Sequence, residues 1–254
     1  MTADFTGKVI LITGGSRGIG RACAVQLSQQ GAHVAVCYRA NRQAAEKTLG
    51  LLPGGPHEIV QADVSDYDTV INMVDGVIRT MGKIDILINS AGIYELHDIT
   101  TLSVDQWKTA WDRSININLS GAAHVTFAVI RHMVQHGGGR IVNISSRGAF
   151  RGEPHAPAYG ASKAGLNAFS QSLAQALAPH RIYVYSVAPG FVDTDMAAGA
   201  LSGPMGDRFR NESPIGRVAT PEEVARTVVF LASEGSEYMT GCIVDINGAS
   251  YLRT

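Results

Sequence analysis

The sequence predicts a doubly wound α/β fold, a parallel sheet of about seven strands with helices on both faces, and three observations carry the prediction. Short β-branched apolar runs alternate with helix-length stretches along the 254 residues. Those runs are apolar on both faces, as expected of parallel strands covered by helices on each side. The first run passes through a glycine-rich turn directly into a helical stretch, which suits an open sheet with its crevice at the strand ends.

In chain order the strands are expected at 8–13 (KVILIT), 33–38 (HVAVCY), 57–61 (HEIVQ), 84–90 (IDILINS), 140–145 (RIVNIS), 181–187 (RIYVYSV) and 242–246 (CIVDI). Helices are expected over 18–30, 41–52, 66–81, 104–135, 157–179 and 221–233. The last opens on Thr220-Pro221-Glu222-Glu223, a proline at the first helical position with acids in the first turn. Gly137-Gly138-Gly139 stops the fourth helix before the fifth strand. No linker, repeat or low-complexity tract divides the chain, so one domain over 1–254 is expected. The stretch 190–213 contains Gly199, Gly203, Pro204 and Gly206 and lacks strong periodicity. Placed after a strand end, it reads as a mobile substrate lid.

Composition narrows the function classes. Lys plus Arg (21) nearly cancel Asp plus Glu (22), leaving a formal charge of −1. That supplies no long-range field for a polyphosphate backbone, and no nucleic-acid partner is expected. Cys23, Cys37 and Cys242 lie far apart without CxxC spacing, which fits a reducing cytoplasm. The apolar run at 9–12 is too short for a signal-peptide core or a span, so neither export nor a membrane partner is expected. The eight histidines contain no HExxH motif, and no metal is expected.

Thr13-Gly14-Gly15-Ser16-Arg17-Gly18-Ile19-Gly20 links the first strand to the first helix, with glycines at 14, 18 and 20. Glycine lets the backbone turn through positive φ and approach a pyrophosphate, while the helix N-terminus offers unpaired N–H donors. Tyr159-Gly-Ala-Ser-Lys163 puts a phenol and an ammonium four residues apart on one helix face. A nearby cation favours phenolate and would bring proton exchange by Tyr159 toward neutral pH. Ser145 and Ser146 end the fifth strand, Asn89-Ser-Ala91-Gly92 the fourth, and Pro189-Gly190 with the following Thr194 the sixth. All of these strand ends border one crevice.

Taken together, these motifs resemble the classical short-chain dehydrogenase/reductase family from end to end. The glycine turn, N-S-A-G, Asn118-Leu119, Ser146, Y-x-x-x-K and P-G-x-x-x-T occur in that family's order and spacing. The closest likeness is to its 3-oxoacyl-[acyl-carrier-protein] reductase branch. The resemblance implies a Rossmann-type domain with a mainly dinucleotide-binding half over 1–92 and a catalytic and substrate half over 93–254. It implies a proton-transfer tetrad of Asn118, Ser146, Tyr159 and Lys163, with Ser145 and Asn116 as adjacent decoys. Ser146 would bond the substrate oxygen and Tyr159 would exchange its proton. Lys163 would lower the phenol's pKa and hold the nicotinamide ribose, and Asn118 would support a water relay. The implied cofactor contacts are Gly14, Ser16, Arg17, Gly18, Ile19, Gly20, Tyr38, Arg39, Asp63, Val64, Asn89, Ala91, Gly92, Tyr159, Lys163, Pro189, Gly190, Val192 and Thr194.

Tyr38, followed by Arg39, stands where an NAD-selective member places an acid, and Arg17 lies beside the positive end of the first helix. A 2′-phosphate would compensate both arginines, so NADP(H) is favoured, with NAD(H) the alternative. The expected activity is hydride exchange with a small ketone or secondary alcohol. An acyl carrier protein is not favoured as partner, because helix 157–179 offers Gln171 and Gln175 on its exposed course and Lys163 as its only cation. Two rival classes fare worse. A hydrolase is suggested by His136-Gly-Gly-Gly139, but the order Ser, acid, His fails because His180 is the last histidine. A non-catalytic dinucleotide sensor would not need the tetrad. Alanines on more than one face of the long helices (Ala110, Ala122, Ala123, Ala168, Ala176), with the family's habit, imply a homotetramer.

Overall fold

All seven expected strands form, and every neighbouring pair runs parallel. The computed structural model describes residues 3–253. The strands are β1 (Val9–Thr13), β2 (His33–Tyr38), β3 (Glu58–Gln61), β4 (Ile86–Asn89), β5 (Gly139–Ile144), β6 (Ile182–Pro189) and β7 (Ile243–Ile246). They lie in the order β3-β2-β1-β4-β5-β6-β7, so the direction of winding reverses between β1 and β4. In an open sheet that reversal parts the connecting loops and leaves a crevice beyond the carboxyl ends of the strands.

The first five helices are α1 (Gly18–Ser28), α2 (Arg42–Leu49), α3 (Tyr67–Met81), α4 (Val104–Ile115) and α5 (Gly121–Gln135). The remainder are α6 (Gly148–Arg151), α7 (Pro157–Leu177), α8 (Asp195–Ser202), α9 (Gly206–Asn211) and α10 (Pro221–Ala232). Strand alternation divides the core into two layers. Ile10, Ile12, Val34 and Val36 face Leu27 of α1 and Val224 and Val228 of α10. Leu11, Ala35, Leu87 and Ile141 face Val74 of α3, Val125 and Val129 of α5, and Leu177 of α7. Every residue of β1 is buried, as its unbroken apolar sequence requires. At α10 the Thr220 hydroxyl accepts from Glu223 N, while the Glu223 carboxylate accepts from Thr220 N.

Three stretches depart from the sequence reading. The expected helix 104–135 is interrupted by a π-helical turn, Asn116–Ser120, between α4 and α5. One extra residue in a helix leaves hydrophobic periodicity almost unmarked, yet it turns the Asn118 side chain toward the strand ends. Segment 190–213, read as irregular, contains α8 and α9, and one-turn α6 was not anticipated. Helices this short fall below the window in which periodicity can register. Tyr185 of β6 is fully buried, and its phenol pairs with the Ser236 hydroxyl at 2.9 Å.

Candidate active site

A cleft of about 400 Å³ opens at the carboxyl ends of the strands, bounded by the glycine turn, the strand ends, the first turn of α7 and α8. Gly14 has φ +64°, and a Cβ there would stand 2.8 Å from the Ala91 backbone, so only glycine lets the turn lie against the β4 end. At Gly20 a Cβ would reach within 2.4 Å of the Gly14 carbonyl, which is why α1 abuts the turn so closely. The Thr13 hydroxyl accepts from Ser90 N and Ala91 N at 3.1 and 3.2 Å, joining the ends of β1 and β4. Arg17 occupies the N-cap position of α1 without a side-chain cap, and the first turn carries no acid, so helix N–H groups are left for an anion. This cradle fits a dinucleotide pyrophosphate.

Ser16, Arg17, Gly18, Ile19, Tyr38, Arg39, Asp63, Val64, Ala91, Gly92, Pro189, Gly190, Val192 and Thr194 all line the cleft. Arg39 is exposed at the lip, and Arg17 reaches Asp195 of α8 at 3.8 Å, both side chains being largely in solvent. Burial acts to raise the Asp63 carboxyl, but the hydroxyl and amide of Ser65, with Arg39 nearby, hold it below the usual carboxylate value. Asp63 thus shapes the turn after β3 while also facing the cleft. Two expected contacts lie elsewhere. Gly20 packs beneath Gly14, and the buried Asn89 side chain points into the sheet, donating to Asn143 and Thr126 at 2.8 and 2.9 Å.

Ser146, Tyr159 and Lys163, expected from the sequence to transfer a proton, lie together at the other end of the cleft. Tyr159 sits in the first turn of α7 and Lys163 one turn later, with its Nζ 5.8 Å from the Tyr159 ring centroid. The Ser146 hydroxyl accepts from Gly148 N at 3.0 Å and lines the cleft together with the Tyr159 phenol, whose pKa it pulls down. Lys163 is buried and donates to the Ile144 carbonyl at 2.8 Å. Asn118, in the π-helical turn, accepts from Ile93 N at 2.8 Å and donates to the Ile93 carbonyl and the Ser162 hydroxyl. A Cβ on Gly92 would stand 3.2 Å from Asn118 Oδ1 and 3.6 Å from Lys163 Nζ, so these two groups meet beneath Gly92. Ser145 is buried away from the phenol, its hydroxyl turned to the Lys163 carbonyl at 3.4 Å.

The electrostatics correct one expectation. Burial pushes the Tyr159 phenol up to about 12, against the pull of Ser146 and with further upward pushes from Glu153 and Tyr94. Burial also pulls the Lys163 ammonium down to about 8. In the protein alone, desolvation rather than Lys163 governs the phenol, which therefore holds its proton. Sequence reasoning passed over Tyr94, whose ring meets that of Tyr159 edge-on at 4.9 Å between centroids, and Glu153, which lines the cleft beside both. Glu153 lies six residues before Tyr159 in a stretch dense in charge, Arg147, Arg151 and Glu153, which was a usable signal. Away from the cleft, His132 and His136, the one histidine pair at helical spacing, stack at 3.8 Å. Among the described residues no group of three metal-ligating side chains occurs.

A doubly wound sheet with a glycine cradle at its winding reversal and a Tyr–Lys pair beside it defines the class of nicotinamide-dependent oxidoreductases. A family model described as "Enoyl-(Acyl carrier protein) reductase" matches residues 14–249. The 3-oxoacyl-[acyl-carrier-protein] reductase of Chlamydia trachomatis is 37% identical, covering 98% of this chain and 99% of its own. That of Aquifex aeolicus is 36% identical, over 99% and 100%. A dehydrogenase/reductase from Sinorhizobium meliloti superposes with a TM-score of 0.91 at 30% identity, over 99% and 98% of the two chains. A short-chain dehydrogenase from Burkholderia cenocepacia, solved in complex with NADP, gives 0.88 at 35% identity, over 97% and 98%. The chain belongs to the short-chain dehydrogenase/reductase family and is an oxidoreductase.

Proposed function

We propose that this enzyme reduces a small ketone to a secondary alcohol with NADPH, and that Asn118, Ser146, Tyr159 and Lys163 form its proton-transfer tetrad. The carrying observation is the convergence of Ser146, Tyr159 and Lys163 at one end of a cleft whose other end is the glycine cradle. When bound, the cofactor supplies hydride to the carbonyl carbon. Ser146 donates a hydrogen bond to the substrate oxygen, and Tyr159, held protonated by burial, gives that oxygen its proton. With the cofactor bound, Lys163 would hold the ribose and restore the phenol's proton, and Asn118 would brace the route outward through its bonds to Ile93 and Ser162. An intact acid of this kind supports a catalyst over a dinucleotide sensor.

Gly14, Ser16, Gly18 and Ile19 would cradle the pyrophosphate, Asp63 and Val64 the adenine, and Ala91, Gly92, Pro189, Gly190, Val192 and Thr194 the nicotinamide half. Arg17 and Arg39 at the lip supply charge for a 2′-phosphate, and no acid stands at the end of β2 to hold a free ribose hydroxyl. A 3-oxoacyl thioester is the first substrate to test, given the names of the relatives. A free thioester is preferred to the carrier-bound form because exposed α7 presents Gln171 and Gln175 and its one cation is buried. The chain acts as a single domain with 190–213 as a lid. It assembles as a homotetramer through α4, α5 and α7, where α4 exposes Trp111 and α5 exposes Phe127 and Val134 as large apolar side chains. Unpaired Cys23, Cys37 and Cys242 support a cytoplasmic site, and no described helix is long and apolar enough to cross a membrane. The decisive test is Tyr159→Phe, which removes one oxygen. Its kcat is expected to fall by about 10²–10⁴-fold with NADPH binding retained, and near-native turnover would refute the assignment.

A further inference from the structure

The N-terminus of α7 carries Tyr159, yet it lacks a local cap. Ala156 stands at the N-cap position and offers no side-chain acceptor. Accounting for the first-turn donors is short. Pro157 has no N–H, while Tyr159 N and Gly160 N both reach the Ala156 carbonyl, at 3.0 and 3.2 Å. Ala158 N remains, and Ala158 is fully buried, so water cannot serve it. Its acceptor comes from 61 residues away in sequence: Nε2 of His97, at 3.1 Å.

His97 is itself held on both sides. The residue is 2% exposed, its Nδ1 faces the Glu95 carbonyl at 2.8 Å, and its own amide donates to the His155 carbonyl at 2.8 Å. Nδ1 faces an acceptor and so carries the proton, which leaves the Nε2 lone pair for Ala158 N–H. The ring also lies beside Trp107 of α4, centroids 6.0 Å apart. Three residues before His97, Tyr94 packs edge-on against the Tyr159 ring. The segment after β4 therefore grips Tyr159 twice, once on its ring and once through the backbone of the residue before it.

The geometry points to His97 as a positioning residue for the reaction, a long-range cap that fixes the first turn of α7 and with it the direction of the Tyr159 phenol. The inference rests on the reading of Tyr159 as the proton donor. Its action is indirect, since His97 donates and accepts only within the protein. A small displacement of a reacting group far outweighs the cost of a missing cap in its effect on turnover.

Three substitutions separate the roles of the ring. His97→Gln places an amide oxygen where Nε2 stood, His97→Asn retains a local donor for Glu95 but is too short to reach Ala158, and His97→Phe keeps the volume beside Trp107 alone. Each is measured for kcat, KM for NADPH and KM for ketone, for hydrogen exchange at the Ala158 amide, and for thermal midpoint, with Tyr159→Phe as companion. His97→Gln is expected to stay within about threefold of wild type, whereas Asn and Phe lose about tenfold or more in kcat at unchanged KM for NADPH and expose Ala158 N–H to exchange. If folded Asn or Phe variants keep kcat within about twofold, or Gln falls as far as Asn, the cap has no part in positioning Tyr159. Should His97→Phe fail to fold, the Gln and Asn pair decides alone. Near-native turnover by Tyr159→Phe would instead overturn the reading of the acid, a result distinct from any pattern among the His97 variants.

Discussion

Replacing Lys163 with methionine should make the protein more stable while abolishing its activity. Lys163 is 5% exposed, and burial lowers its ammonium from 10.5 to about 8. A drop of about 2.5 pH units corresponds to about 3 kcal/mol by which folding disfavours the charged form at neutral pH. Methionine keeps the unbranched shape and removes the charge, but it strands the Ile144 carbonyl that Lys163 now serves, at a cost of about 1–2 kcal/mol. The balance is a gain of about 1–2 kcal/mol, or about 2–8 °C in thermal midpoint for a chain of this size. The pH dependence gives the sharper test. Below pH 8 the lysine is charged in both folded and unfolded chains and the full penalty applies. Between pH 8 and 10.5 the unfolded chain binds more protons than the folded one, so wild-type stability gains on the variant as pH rises. Denaturant titrations of both proteins at pH 7, 9 and 10 should show the advantage of Lys163→Met shrinking across that window. A variant less stable than wild type at pH 7, or a gap that does not change with pH, would refute the claim that desolvation governs this site.

Other expectations follow from the cleft. Arg39→Asp installs an acid at the lip and should move the preference from NADPH toward NADH, read as the ratio of kcat/KM for the two cofactors; an unchanged ratio would mean that Arg39 is simply solvated. Hydrogen exchange over 190–213 should slow when cofactor and ketone are both present, with Phe191, Met196, Leu201, Met205 and Phe209 as the inner apolar face, and equal protection in both states would identify α8 and α9 as static. Sedimentation equilibrium at micromolar concentration should give about four times the chain mass of 26.9 kDa, whereas a monomer would remove the assembly and leave the tetrad intact.

What could be read in advance was local chemistry with a fixed spacing. The glycine turn, Ser146 and Tyr159 with Lys163 each lie in one short stretch, and the strands between them declare themselves by apolar runs. What escaped depends on convergence or burial. Tyr94 meets Tyr159 from a segment 65 residues away in sequence, and nothing in that segment alone announces the encounter, whereas the charge-dense stretch that carries Glu153 did offer a signal. The pairing of Tyr159 with Lys163 suggested a depressed phenol because spacing reports neighbours and not solvent. Lys163 is buried and Tyr159 sits partly enclosed in the cleft, and that desolvation reverses the sign for Tyr159. The resemblance implies a cofactor contact at Asn89, yet strand alternation turns its side chain inward.

That inward turn has a consequence for how the sheet assembles. Between Arg140 at one end and the Asn89–Asn143 pair at the other, the facing residues of β4 and β5 are all apolar, and apolar stretches of this kind could slide past each other by two residues while keeping their faces. Asn89 stands directly opposite Asn143, and the amides bond to each other, to Thr126 of α5 and to Ser170 of α7. Any shifted alignment would leave these amides facing hydrocarbon, at a cost of about 1–3 kcal/mol for each stranded group. The pair therefore works as an alignment mark for the nascent sheet. Because Gly92 follows one strand and Ser146 the other, the same mark brings the two walls of the cleft to a common height.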